Sequence, residues 1–178
     1  MTAGSLDMAI VPEPRDPQQP YRICMVCLGN ICRSPMAEVV LREELRKAGL
    51  AGKVTVSSAG TGDWHVGEPM DARARAELTS RGYDGTSHRA RQIQQSWLDD
   101  CDLLLAMDRR NLANLQRMAA CDPELDGRIQ LMLSFDPDSA EGAEVPDPYD
   151  GRPGEFAEVF ELVHGAARGL TARLAAAL

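Results

Sequence analysis

The chain has 178 residues, of which 44% are hydrophobic and 26% are charged, an ordinary composition for one globular domain with a real core. Its formal net charge of −8 argues against general nucleic-acid binding, which requires a basic surface. No apolar run approaches the roughly 20 residues of a membrane span, so we expect no membrane partner.

The cysteine content indicates a reducing compartment. There are five cysteines, an odd number without the spacing of a disulfide framework. The first residues also lack the charged-then-apolar pattern of a signal peptide. We therefore expect a cytoplasmic protein, while export by an unconventional route stays open.

Residues 1–20 contain four prolines and little apolar periodicity. This composition is typical of a flexible arm, although Met8 to Val11 are apolar enough to pack locally. We expect the folded domain to span residues 21–178.

An apolar strand and an amphipathic helix flank a short loop at the start of this domain. The strand is predicted over residues 23–28, and the helix begins near Ser34 and stops before Gly49. The pair Cys24 and Cys27 invites a redox or zinc interpretation. However, strand residues three apart point to opposite faces, and a zinc site needs a second pair of ligands. We expect Cys24 in the core and no bound metal.

The loop Cys27-Leu28-Gly29-Asn30-Ile31-Cys32-Arg33-Ser34-Pro35 has the parts of an anion-binding site. Loop N–H groups and the first unpaired N–H groups of a helix can converge on a tetrahedral oxyanion. Gly29 and Asn30 are residue types that tolerate the unusual dihedral angles of such a loop. Cys27 lies where this positive field favours a thiolate, Ser34 can donate to its sulfur, and Arg33 can hold two oxygens bidentately.

Together these residues predict cleavage of a phosphate ester through a cysteinyl-phosphate. A cysteine and an arginine at this spacing also occur by chance, and a buried cysteine is usually inert. The position between an apolar strand and a helix favours the catalytic interpretation.

The rest of the chain alternates strands with helices. Strands are predicted over residues 53–57, 102–107 and 128–135, and helices over 69–82, 95–99, 109–119 and 156–174. Asp108 is predicted to cap the helix that follows the second of these strands. Such βαβ units indicate an α/β fold with a parallel sheet, whose carboxyl edge carries the anion-binding loop.

Two loops carry further candidate residues. Trp64 lies in the glycine-rich segment 58–67 and is interpreted as an aromatic wall beside a ligand, or alternatively as a core plug. Asp147 lies between two prolines in the acidic segment 136–153, where a stiff backbone would hold a general acid over the anion site. From the residues alone, Asp147 is otherwise one solvated carboxylate among several.

The loop from Cys27 to Pro35 resembles the signature loop of the low-molecular-weight protein tyrosine phosphatases, and Asp147-Pro148-Tyr149 resembles their general-acid loop. The resemblance covers nearly everything after the arm. It implies a single-domain, three-layer α/β fold with a four-stranded parallel sheet, order 2-1-3-4, and helices on both faces. It also implies cofactor-free hydrolysis of phosphotyrosine and aryl phosphate esters in phosphoprotein substrates. Cys27 would be the nucleophile, Arg33 the phosphate ligand and Asp147 the general acid and base.

The same resemblance assigns supporting positions. Asn30, Ser34, Ser58 and His88 match a hydrogen-bond network that shapes the phosphate loop. Cys32 matches a second cysteine that forms a disulfide with the nucleophile under oxidation. Asp150 departs from the family, which usually has a second tyrosine there. Expected substrate contacts, including the aromatic walls Trp64 and Tyr149, are Leu28, Gly29, Asn30, Ile31, Cys32, Ser34, Trp64 and Tyr149.

Two other functions are compatible with parts of this pattern. Arsenate reduction uses the same fold and loop but requires two neighbouring cysteines on a mobile segment, whereas Cys101 and Cys121 lie 20 residues apart. A phosphate-binding module without turnover would lack the nucleophile or the acid, and Cys27 and Asp147 are both present.

Overall fold

The computed structural model of the protein describes residues 9–178, and its strands and helices alternate as expected. The strands are β1 (Tyr21–Cys27), β2 (Val54–Gly60), β3 (Leu103–Ala106) and β4 (Ile129–Leu131). The helices are α1 (Arg33–Lys47), α2 (Ala72–Ser80), α3 (Gln95–Asp100), α4 (Arg109–Met118), α5 (Pro123–Asp126) and α6 (Pro153–Ala177).

The four strands form one parallel sheet in the order β2-β1-β3-β4, which confirms the predicted fold. The side chains of β1 alternate between two core clusters, with Met25 and Cys27 in one and Cys24 and Val26 in the other. Helices α1, α2 and α6 pack in the first cluster, and α3, α4 and α5 pack in the second. The domain therefore has three layers, and Cys24 is a fully buried core residue, as predicted.

The strand predicted over residues 128–135 is wrong in its second half. β4 ends at Leu131, and Met132–Phe135 forms a 3₁₀ helix. Met132, Leu133 and Phe135 all enter the cluster beneath α6, whereas consecutive residues of a strand point to opposite faces. Helix α6 approaches this turn closely, since a Cβ at Gly169 would lie 1.9 Å from the Phe135 carbonyl oxygen.

Residues 9–20 form no helix or strand, but hydrogen bonds attach them to the domain. The backbone N–H of Arg15 donates to Asp102 (2.7 Å), and its guanidinium donates to the carbonyls of Leu98 and Cys101. A flexible arm would not make such contacts. They join Arg15 to residues 83 to 87 positions later in the chain, and composition does not indicate pairs so far apart. Residues 1–8 lie outside the described part of the chain.

The predicted end of α1 and the predicted start of α4 are confirmed. Helix α1 ends just before Gly49, whose φ of 74° suits glycine. The Asp108 side chain caps α4 by accepting from the Asn111 N–H.

Within residues 9–178, no helix combines the length and apolar character needed to span a membrane, and the cytoplasmic location stays a prediction.

Candidate active site

The loop that joins β1 to α1 curls around the sulfur of Cys27. The backbone N–H of Asn30 donates to Cys27 Sγ (3.3 Å), and Ser34 Oγ lies 2.9 Å from the same sulfur. All three residues are buried. Asn30 has a φ of 57°, the left-handed conformation that turns its N–H back towards the sulfur. Two hydrogen-bonding groups therefore face one buried sulfur at the carboxyl end of a central strand.

Gly29 does not share this left-handed conformation, since its φ is not positive. Space beside Gly29 is limited. A Cβ at this position would lie 3.0 Å from Cδ2 of His65. The small residue lets the segment that carries Trp64 and His65 pack directly on the phosphate loop.

A chain of hydrogen bonds behind the loop orients the Ser34 hydroxyl. Asn30 Nδ2 donates to Ser34 Oγ and to Ser58 Oγ, both at 2.9 Å. The Ser58 hydroxyl donates onward to the Glu38 carboxylate. Ser34 Oγ accepts from Asn30 and can donate its own hydrogen to the Cys27 sulfur at 2.9 Å, which is closer than its other acceptor, the Ala59 carbonyl oxygen at 3.5 Å.

His88 and Arg91 hold the other side of Asn30. His88 Nε2 lies 2.7 Å from the Asn30 carbonyl oxygen and donates to it, and the Arg91 N–H donates to Asn30 Oδ1 (2.9 Å), which fixes the amide orientation. Burial lowers the pKa of His88, although the bond to Asn30 and the charge of Glu38 oppose this shift. The structure thus brings together the four residues of the predicted network.

Arg33 lies in the first turn of α1 with its side chain only 3% exposed. Its Nη1 donates to Asp108 Oδ2 (2.6 Å) and to the Val145 carbonyl (3.1 Å), while Nη2 lies 3.6 Å from Asp147 Oδ2. Burial opposes the charge, but Cys27, Asp108 and Asp147 together raise the pKa of Arg33 above its ordinary value. The guanidinium is therefore a fixed cation next to the nucleophile candidate.

Asp147 lies on the predicted long loop, which runs over residues 136–152 before α6 begins. Its carboxylate accepts the Tyr149 N–H at Oδ1 (3.1 Å) and faces Arg33 with Oδ2. Val145 anchors the loop below it, because its side chain is fully buried and its N–H donates to the Met107 carbonyl (2.8 Å). The acid candidate is thus held above the phosphate loop, with 47% of its side chain exposed.

A pocket of about 140 Å³ opens beside the phosphate loop. Trp64 forms an exposed part of its lining and is not a core plug. The Trp64 ring folds over Gly62, where a Cβ would lie 1.8 Å from a ring atom. Six of the eight predicted contact residues line this pocket together with Asp147, whereas Asn30 and Ser34 are fully buried and do not. The lining is Leu28, Gly29, Ile31, Cys32, Arg33, Trp64, His65, Asp147 and Tyr149.

The remaining cysteines and Asp150 lie in different surroundings. Cys32 lines the pocket, where burial and then the charge of Asp71 raise the pKa of its thiol. Cys101 packs on the opposite face of the sheet, and Cys121 is exposed beyond the end of α4. Asp150 is exposed at the turn after Tyr149.

Sequence reasoning missed several residues of this site, Arg91 among them. Glu38 lies one helical turn after Ser34, so the i, i+4 spacing on α1 indicated a shared face. Asp108 was predicted only as a helix cap, yet its position directly after β3, at the carboxyl edge of the sheet, was a signal for the site. His65, whose ring centroid lies 6.1 Å from that of Tyr149, carried no comparable signal.

A cysteine at the end of a central parallel strand, an arginine in the first turn of the next helix and an aspartate opposite them form an arrangement typical of cysteine-dependent phosphatases. Residues 22–178 match the family described as "Low molecular weight phosphotyrosine protein phosphatase". The chain belongs to this family, and it is therefore an enzyme of the phosphoric monoester hydrolase class.

Individual relatives agree with this assignment. The chain is 48% identical over 153 residues to the low molecular weight protein-tyrosine-phosphatase of Streptomyces coelicolor, an alignment that covers 85% of this chain and 92% of the relative. It is 45% identical over 152 residues to low molecular weight protein-tyrosine phosphatase A of Mycobacterium tuberculosis, which covers 85% and 90%. The crystal structure of YfkJ from Bacillus subtilis superposes with a TM-score of 0.82 at 37% identity, covering 89% of this chain and 97% of that one.

Proposed function

We propose that the protein hydrolyses phosphotyrosine and related aryl phosphate monoesters through a cysteinyl-phosphate, with phosphotyrosine-containing proteins as its substrates. The observation that carries this proposal is the pair of groups that face the Cys27 sulfur, the Asn30 N–H at 3.3 Å and the Ser34 hydroxyl at 2.9 Å. Both can direct hydrogens at the sulfur, as a thiolate nucleophile requires. Arg33 lies on the same segment, in the first turn of α1.

In the first step, the Cys27 sulfur attacks phosphorus, and the P–O bond to the phenol breaks as the S–P bond forms. Asp147 gives its proton to the departing phenol oxygen. Arg33 holds two oxygens of the transferring phosphoryl group, and its bond to Asp108 keeps the guanidinium oriented before substrate arrives. This step leaves a cysteinyl-phosphate and a free phenol.

In the second step, water attacks the phosphorus from the side that the phenol has left. Asp147, now a carboxylate, takes the proton of that water. The S–P bond breaks, inorganic phosphate is released, and the electron pair returns to the Cys27 sulfur. The hydrogen bond from Ser34 stabilises the sulfur as a leaving group.

The pocket lining supports an aromatic ester as the substrate. Trp64 and Tyr149 expose 68% and 45% of their surface and line the same pocket as Asp147. A phenol ring bound between these two side chains would remove apolar surface of both from water, whereas a small alkyl group would cover less of that surface. The printed names of the relatives, which are protein-tyrosine phosphatases, support the same choice.

Reversible oxidation of the nucleophile is the regulatory part of this proposal. Peroxide would convert the Cys27 thiolate to a sulfenic acid, and attack by the Cys32 sulfur would then form a disulfide and release water. The raised pKa of Cys32 makes this capture slower than attack by an ordinary thiol. The disulfide would protect Cys27 from irreversible oxidation.

The two competing functions receive less support. Arsenate reduction needs a relay of thiols, and Cys101 packs beside Cys24 on the far face of the sheet while Cys121 is exposed after α4. Phosphate binding without turnover is disfavoured by Asp147, whose carboxylate faces Arg33 at 3.6 Å.

Phosphate release from a phosphotyrosine peptide and from p-nitrophenyl phosphate tests the proposal, with Cys27→Ser as the matched variant. We expect the wild-type protein to turn over both substrates, and the folded Cys27→Ser protein to bind the peptide without turnover, because serine is a far weaker nucleophile. Peptide binding without phosphate release by the wild type would instead support a binding module. Thiol-dependent arsenate reduction without phosphotyrosine turnover would support the reductase.

A further inference from the structure

Arg73, in the first turn of α2, is joined to the phosphate loop through Asp71. Its Nε and Nη2 bind the two carboxylate oxygens of Asp71 at 3.1 and 2.9 Å. The same carboxylate caps α2 by accepting the Arg73 N–H, and the Asp71 N–H donates to the Ile31 carbonyl (2.9 Å). The guanidinium is therefore fixed relative to the residues that surround Cys27.

The same guanidinium also holds the loop that carries Asp147. Its Nη2 donates to the Tyr149 carbonyl (2.9 Å), and its central carbon lies 5.7 Å from the Tyr149 ring centroid and 4.8 Å from that of Phe156. Phe156 is a buried residue of α6, so the arginine stacks on a rigid surface.

Asp147 lies between two anchors that are both arginines. On one side, Arg33 donates to the Val145 carbonyl, and on the other, Arg73 donates to the Tyr149 carbonyl. Between them the half-exposed Asp147 side chain is bonded to the Tyr149 N–H of its own loop. Without Arg73, the loop would keep its anchor at Val145 and lose the one beyond the carboxylate.

We propose that Arg73 is a positioning residue that holds Asp147 over the phosphate loop for proton transfer to the leaving group. The inference rests on the proposed function, since it concerns the acid of that reaction. An arginine is required because one planar group donates to two oxygens of Asp71 and to a third on Tyr149, while its face covers Phe156. A lysine ammonium has neither the fork nor the flat face.

Arg81 provides a matched control at the other end of the same helix. It pairs with Glu77 (2.6 Å) and Glu161, and its guanidinium lies 4.1 Å from the Phe160 ring centroid. Like Arg73, it pairs with a carboxylate of its own segment and stacks on a phenylalanine of α6, but it lies at the end of α2 remote from the Asp147 loop. Loss of Arg81 reports on the stability of the α2–α6 contact alone.

The test compares kcat/KM for phenyl phosphate and p-nitrophenyl phosphate in the full chain carrying Arg73→Ala, Arg73→Lys or Arg81→Ala. For each substrate, kcat/KM reports the steps up to the first phosphoryl transfer. In that transfer the basic phenolate leaving group needs the proton of Asp147, and p-nitrophenolate needs it far less. We expect Arg73→Ala to lower kcat/KM by about tenfold for phenyl phosphate and by about twofold or less for p-nitrophenyl phosphate. A tenfold loss is part of the full effect of a general acid. Arg73→Lys should show the same selective loss, and Arg81→Ala should leave both values within about twofold of wild type.

Equal losses on the two substrates in the Arg73 variants, or losses no larger than those of Arg81→Ala, would overturn the positioning role. Should Arg73→Ala fail to fold, Arg73→Lys gives the same comparison with the surface charge retained. A wild-type protein that hydrolyses neither ester would refute the proposed function itself, which is a distinguishable result.

Discussion

Replacing Asn30 tests whether the network behind the phosphate loop determines its shape. Asn30→Ala removes two donated hydrogen bonds, to Ser34 and Ser58, and one accepted from Arg91. At about 1 kcal/mol each, these losses lower the free energy of unfolding by about 3 kcal/mol. Alanine at a φ of 57° adds a further cost of about 2 kcal/mol. The expected total is about 5 kcal/mol, a large part of the 5–15 kcal/mol typical of a folded domain.

Asn30→Gly separates the network from the backbone. Glycine adopts the left-handed conformation freely but adds about 1 kcal/mol through the entropy of the unfolded chain, so the expected loss is about 4 kcal/mol. The measurement is urea denaturation followed by far-UV circular dichroism, with kcat measured on the folded variants. Both variants should also lose kcat, because the Ser34 hydroxyl is no longer oriented towards Cys27.

Asn114→Ala is the control for these two variants. The Asn114 side chain accepts a hydrogen bond from Arg117 on the exposed side of α4, so its loss should change stability by about 0.5 kcal/mol or less. If both Asn30 variants lose less than about 1 kcal/mol, the network does not hold the loop. If alanine is as stable as glycine at this position, the left-handed conformation of residue 30 is wrong.

Three further predictions concern the pocket. Arg33→Lys should lower kcat nearly as much as loss of the arginine, because an ammonium cannot hold two phosphoryl oxygens in a fixed fork; near-native rates would contradict the bidentate role. Trp64→Ala should lower kcat/KM for aryl phosphates more than for small alkyl phosphates, whereas equal losses would show that the ring is structural. After mild peroxide and then a thiol reductant, wild-type activity should largely return and that of Cys32→Ser should return much less. Equal recovery, with no Cys27–Cys32 disulfide by mass spectrometry, would exclude Cys32 as the resolving thiol.

The elements nearest the phosphate loop were predictable because local rules determine them. Short stretches of sequence determine the apolar strand, the loop with Asn30 in a left-handed conformation and the helix that stops before Gly49. The parallel topology follows from the alternation of such units, and the order of the strands came from the family resemblance. The 3₁₀ turn after Leu131 was not predictable, because the need to bury Met132, Leu133 and Phe135 together arises from α6.

The contacts that complete the site join residues far apart in the sequence, so sequence patterns did not predict them. Asp108 reaches Arg33 across 75 positions, and Arg73 reaches the Tyr149 carbonyl across 76. Composition and periodicity carry no information about such pairs. Glu38, four residues from Ser34 on one helix, was within the range of a local rule, and Asp108 was indicated by its position directly after β3.

The most direct test of the account is to trap the intermediate on Cys27. Asp147→Ala protein, which lacks the proposed base for the second step, is mixed with p-nitrophenyl phosphate, quenched in acid during turnover and digested for mass spectrometry. We expect one phosphoryl group, located by fragmentation on Cys27, and none in Cys27→Ser protein treated in the same way. A phosphoryl group on any other residue, or wild-type turnover with no phosphorylated Cys27 in either protein, would contradict covalent catalysis at this sulfur.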